Sequence, residues 1–176
     1  MIRRLVIIRN HKPSRQRNRM KKERNKKLFK DKPLSKISLS EFEKPGSDYF
    51  TNLRRFCISL GLVNPGESRV AVVYILDLLL KLRYKKKEGV DSYEIMKYLY
   101  SKNVKIVYAN VLRDLRKLIN IGLVEKINTN YRIKENMKLT ELMDEFIKPY
   151  IIDRILKKIY LYAEAIDNDF SKKRII

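Results

Sequence analysis

Residues 105–134, KIVYANVLRDLRKLINIGLVEKINTNYRIK, constrain what this chain can fold into more than any other stretch. Val111, Leu115, Leu118 and Ile119 recur at steps of three and four, so they share one side of a helix. Lys105, Asn110, Arg113, Arg116, Lys117 and Asn120 fall largely on the other side. Gly122 stops the helix, because glycine takes the left-handed cap conformation without a Cβ penalty. Residues 123–127 then read as a strand. Asn128-Thr129-Asn130 supplies the turn, since Asn tolerates positive φ, and 131–133 form the returning strand.

The elements around this stretch follow from the same periodicities. Ser47 or Asp48 can cap a helix running to about residue 60, with Tyr49, Phe50, Leu53, Phe56, Cys57 and Leu60 on one stripe. Asn64-Pro65-Gly66 is a turn. A helix over about 67–84 is apolar on nearly all sides and belongs in a core. Asp77 in its middle is expected to meet a Lys or Arg rather than to act as an acid catalyst. Asp91, with Glu94 three residues on, opens the next helix in the manner of a capping box. Tyr93, Ile95, Met96, Leu99 and Tyr100 are expected to form its buried side, and Asn103 to close it in a left-handed turn. After the hairpin, Thr140 is expected to cap a helix carrying Leu142, Met143, Phe146 and Ile147, which Pro149 should break or kink. Ile152, Ile155, Ile159, Tyr162 and Ile166 step by three and four in a coiled-coil-like seam. Too short to stand alone, the seam predicts packing against another helix and favours a homodimer.

The spacing Val111, Leu115, Leu118, followed by Gly122-Leu123-Val124-Glu125, carries a resemblance. On it, residues 68–134 resemble the winged helix-turn-helix superfamily, in the broad style of MarR- and PadR-like prokaryotic DNA-binding regulators. The first sixty residues lie outside that likeness. The resemblance implies that the third helix enters a major groove while the hairpin, as the wing, follows the backbone or minor groove. It places Lys105, Tyr108, Asn110, Arg113 and Lys117 on the nucleic acid, with Asn110 toward an adenine edge and Arg113 toward a guanine edge. Lys126, Asn128, Asn130, Arg132 and Lys134 would serve the wing. Asp114 and Glu125 depart from a purely cationic face. The expected fold is therefore mainly α with a small β-hairpin: a winged helix-turn-helix core, an N-terminal helix, a basic disordered arm and C-terminal helices. Its expected divisions are 1–46 for arm and linker, 47–138 for the N-terminal helix and core, and 139–176 for the C-terminal helical extension.

Charge points to the same class of partner. The 176 residues hold 41 Lys/Arg against 20 Asp/Glu, a net charge of +21. Residues 1–32 hold fourteen Lys/Arg and two Asp/Glu, so they carry +12, and the remainder carries +9. Such an excess attracts polyanions at long range. The arm has almost no apolar residues at helical spacing, so alone it cannot offset its chain entropy. Arg15, Arg17, Arg19, Lys21, Lys22, Arg24, Lys26 and Lys27 are its expected phosphate contacts. Pro13 and Pro33 bracket it and discourage one continuous helix.

Other chemistries find little support. Cys57 and His11 are the only residues of their kinds, which rules out an intramolecular disulfide and a cysteine-based zinc site. No phosphate-cradling GxxxxGK[ST] or GxGxxG loop is present, nor HExxH or CxxC. The expectation is a protein without enzymatic activity, cofactor or metal. The apolar run at 5–8 is too short for a signal peptide core, and 70–80 is interrupted by Asp77 and too short to span a bilayer. A cytoplasmic protein, nucleoid- or ribosome-associated, is expected, with no membrane partner. Three functions compete: a homodimeric regulator of double-stranded DNA, an RNA- or ribosome-associated winged-helix protein, and an interaction subunit of a transcription or replication assembly. The seam at 152–166 suits a dimer on palindromic DNA and ranks the first reading above the others.

Overall fold

The computed structural model describes residues 36–67 and 70–173. The described residues all belong to one unit, 35–176. The basic arm with its eight expected phosphate contacts lies outside the described residues.

In that unit, Asp48 caps α1 (Tyr49–Ser59) by accepting from the Thr51 N–H at 2.6 Å. α2 (Ala71–Leu82) follows a turn and is buried at Val73, Ile75 and Leu76. Asp91 caps α3 (Ser92–Ser101), its Oδ1 accepting from the N–H groups of Tyr93 and Glu94 at 2.8 Å. The Glu94 side chain does not complete a capping box; it pairs with Lys86 at 2.8 Å. Asn103 closes α3 at φ 57, in the left-handed region. α4 (Tyr108–Asn120) comes next, then β1 (Val124–Ile127) and β2 (Asn130–Ile133), paired antiparallel. The protein is thus mainly helical with one small hairpin.

One core joins these elements. Cys57 from α1, Ile75 and Leu76 from α2, Ile95 and Leu99 from α3, Val111 and Leu118 from α4, and Leu123 and Ile133 flanking or ending the strands are all fully buried. Each comes from the apolar side that periodicity defines, so burial of the stripes drives the assembly. Burial also pushes the Cys57 thiol up to about 12, which leaves it neutral and unreactive. The core extends past the hairpin: Leu142 and Ile147 are fully buried in it.

Three local expectations are corrected. Tyr93 and Tyr100 do not join the buried side of α3; both are exposed. Thr140 does not cap the next helix. α5 (Leu139–Leu142) starts beyond Lys138, whose N–H donates to Glu141 Oε2 at 2.8 Å, so a first-turn carboxylate supplies the cap instead. Pro149 does not break the path. Met143–Ile152 form a π-helix that contains Pro149 and continues without a gap into α6 (Asp153–Lys173). The wider π turn moves away the carbonyl four residues back, which the proline ring would strike in an α-helix.

Candidate nucleic-acid interface

The end of α4 is fixed by backbone hydrogen bonds. Gly122, at φ 81, follows the last turn; its N–H donates to the Ile119 carbonyl at 2.9 Å and the Leu123 N–H to the Leu118 carbonyl at 3.0 Å. These paired bonds satisfy the last carbonyls and turn the chain directly into β1. The hairpin is fastened a second time. Val90, between α2 and α3, exchanges both backbone bonds with Tyr131 at 3.0 and 2.8 Å. Gly89 makes this approach feasible: it sits at φ 84, and a Cβ there would run into the Tyr131 carbonyl. Nothing in the sequence pattern singled out this third strand position.

With its inner side in the core, α4 turns Arg113, Arg116 and Asn120 to solvent, at steps of three and four. This ridge separates two clefts. One, of about 890 Å³, is lined by Lys105, Asn110, Arg113, Asp114 and Lys117 with Tyr74 and Lys102. The other, of about 600 Å³, lies between α4 and the hairpin and is lined by Tyr93, Tyr108, Leu112, Arg116 and Lys126. The five residues expected on the nucleic acid are therefore not one face. Lys105, Asn110 and Lys117 belong to the first flank, Arg113 to the ridge, and Tyr108 to the second flank. Arg116 shares the ridge with Arg113 and was legible from its three-residue spacing, yet the winged-helix likeness did not select it.

Local partners modify these groups. Asp114 is only 6% exposed; its Oδ1 lies 3.4 Å from Lys117 Nζ and 3.6 Å from Arg113 Nε without a hydrogen bond to either. It offsets part of the positive charge on that flank. The Tyr108 hydroxyl is 2.9 Å from Ser92 Oγ, and its ring stacks on Tyr93 with centroids 5.9 Å apart. Tyr93 itself is 70% exposed.

The hairpin is more committed than expected. Its turn is two residues, Asn128 at φ 54 and Thr129, because Asn130 pairs with Ile127. Asn130 is thus a half-buried strand residue rather than part of the loop. Glu125 stands opposite Arg132, and Arg132 Nε donates to Glu125 Oε1 at 2.8 Å while Nη1 donates to the Lys87 carbonyl at 2.7 Å. Lys134 Nζ sits 3.3 Å from the centroid of the Phe146 ring, a cation–π contact. Arg132 and Lys134 accordingly hold the fold together rather than offering open charge. Lys126 and Asn128 remain exposed near the tip.

Behind α4, Asp77 is 2% exposed and gathers three partners. Lys81 Nζ is at 2.6 Å, the Tyr49 hydroxyl donates at 3.0 Å and the Tyr98 hydroxyl at 2.5 Å. Burial pushes its carboxyl up, but these three donors outweigh burial and hold it below the ordinary value. Burial and the facing carboxylate push the Tyr49 hydroxyl up to about 12. The cluster ties α1, α2 and α3 together.

Among the described residues, no group of His, Cys, Asp and Glu is placed to hold a metal ion, and no helix is long and apolar enough to cross a membrane. No family model, curated protein or solved structure matched this chain.

Proposed function

We propose that residues 71–133 form a winged helix-turn-helix unit and that the protein is a regulator that binds double-stranded DNA. The observation that carries this reading is the exposed ridge Arg113, Arg116 and Asn120, set beside a hairpin whose tip presents Lys126 and Asn128. The thirteen residues of α4 span about 20 Å, and a single helix fits the roughly 12 Å width of the major groove. In that arrangement Arg113 and Arg116 reach base edges or phosphates from the ridge, and Lys126 follows the backbone at the hairpin tip. The basic residues 1–32 add a non-specific phosphate contribution.

One observation favours a second reading. The Tyr93–Tyr108 pair, flanked by Arg116 and Lys126, is an aromatic platform next to cations. Such platforms suit the unstacked bases of RNA or single strands. Purification without nuclease, followed by sequencing of the bound nucleic acid, separates the two. A limited set of duplex fragments supports the DNA reading; predominantly structured RNA replaces it with the second.

A further inference from the structure

The expected packing partner of the seam on α6 is not among the described residues, and 156–171 are all exposed. The cleft between α4 and the hairpin, in contrast, defines its occupant by its chemistry. Its volume is about 600 Å³, and its lining includes Tyr93, Tyr108, Leu112 and Ile119 together with Arg116 and Lys126. The stacked tyrosine pair is exposed, so ring surface is open to the cleft. Both rings are held in place. The Tyr93 N–H donates to Asp91 Oδ1 at 2.8 Å, and the Tyr108 hydroxyl lies 2.9 Å from Ser92 Oγ. Leu112 and Ile119 stay half-buried beside them. Asp91, the acid on that lining, is already engaged by the N–H groups of Tyr93 and Glu94. Arg116 and Lys126 are exposed.

Cations alone satisfy a phosphate, whereas ring faces and aliphatic side chains favour a flat, largely apolar group. Within a duplex each base is covered by its stacked neighbours and shows only its edges in the grooves. Its face becomes available where it is unpaired, and there it stacks on aromatic side chains. Arg116 belongs both to the ridge and to this cleft, so the platform adjoins the surface proposed to hold the duplex. We propose that the cleft takes the base of an unpaired nucleotide adjoining the duplex, stacked on Tyr93, with its phosphates on Arg116 and Lys126. The preferred target is then a duplex with a single-stranded extension rather than a blunt one. This inference rests on the duplex reading and narrows its substrate.

The test titrates the full chain with DNA duplexes of one sequence: blunt, extended by a few thymidines, and extended by as many abasic residues. Each extension is made on one strand and, separately, on the other. The two kinds of extension carry the same charge and differ only in their bases. On one of the strands, the thymidine extension should bind at least about fivefold tighter than the abasic one, the lower end of what stacking a base on an aromatic ring contributes. Tyr93→Ala should abolish that preference, and Tyr93→Phe should keep it, because stacking uses the ring and not the hydroxyl. Arg113→Ala should weaken binding of both extended duplexes in the same proportion and leave the preference intact. Equal affinity for thymidine and abasic extensions, with the blunt duplex also bound, overturns the inference and leaves the duplex reading standing. A preference that survives Tyr93→Ala overturns it as well. If the blunt duplex is not bound and the isolated thymidine strand binds as tightly as the extended duplex, the duplex reading fails and this inference fails with it.

Discussion

Arg116 on α4 and Arg132 on β2 are equal in charge and have opposite fates. Arg116 stands on an exposed ridge with no carboxylate on it, whereas Arg132 is bonded to Glu125 and to the Lys87 carbonyl. A weaker contrast separates Lys126, exposed and 5.6 Å from the Tyr131 ring centroid, from Lys134, half-buried and 3.3 Å from that of Phe146. The difference lies in what each element faces. α4 has one buried side and turns the other outward, while β2 lies between β1 and the loop before α3, so Arg132 meets acceptors on both. Charge counted in the sequence is therefore not the charge available to a partner.

The largest effect should come from the open cations. Arg113→Ala with Arg116→Ala should weaken binding to a preferred duplex by about 1–3 kcal/mol for each arginine that reads a base, with random duplex affected much less. Titrations at fixed salt measure this, and equal losses on both duplexes would reduce the ridge to a phosphate contact. Arg113 lies 3.6 Å from the buried Asp114 carboxylate, so the two duplex affinities are compared on the same variant at a temperature where it is fully folded.

The scaffold beneath both surfaces supplies the next effect. Asp77→Ala leaves the hydroxyls of Tyr49 and Tyr98 without their acceptor and should cost about 2–3 kcal/mol in denaturant unfolding. The wild-type contribution should also depend on pH. The Asp77 carboxyl is held below its ordinary 3.8, so its stabilisation is present above that value and is lost as pH falls through the folded value. The Tyr49 hydroxyl is raised from 10.0 to about 12, so its contribution is complete below pH 10 and declines between 10 and about 12. An Asp77→Ala variant with the same acid and alkaline limbs as wild type would remove this cluster from the account.

The smallest effect is the most diagnostic for the comparison. Arg132→Ala should cost about 0.5–1.5 kcal/mol of stability, because it breaks a half-buried ion pair and a backbone bond, while leaving duplex affinity nearly unchanged. Glu125→Gln should do the reverse to binding: it loosens Arg132, removes one negative charge and steepens the salt dependence by at most about 0.9 in log–log slope. If Arg132→Ala instead flattens that slope as much as Lys126→Ala does, Arg132 is available after all and the contrast with α4 fails.

Local order in this protein was legible in its sequence. Apolar spacing located α1 to α4, Gly122 and Asn103 marked their stops, and alternation with Asn128 marked the hairpin. These signals are short-range: backbone sterics, capping and periodic burial act within a few residues. The sequence likewise assigned Arg113 and Arg116 to one outer side and drew the apolar residues from Ile152 to Ile166 onto one stripe. The tertiary structure alone decided which polar groups are spent. The Glu125–Arg132 pair, Lys134 over Phe146, Asp77 among Tyr49, Lys81 and Tyr98, and the Val90–Tyr131 bridge at Gly89 each join residues through packing that no period encodes. Pro149 within a π-helix belongs with them, because a proline's cost depends on whether the neighbouring turns can widen while Ile147 stays buried.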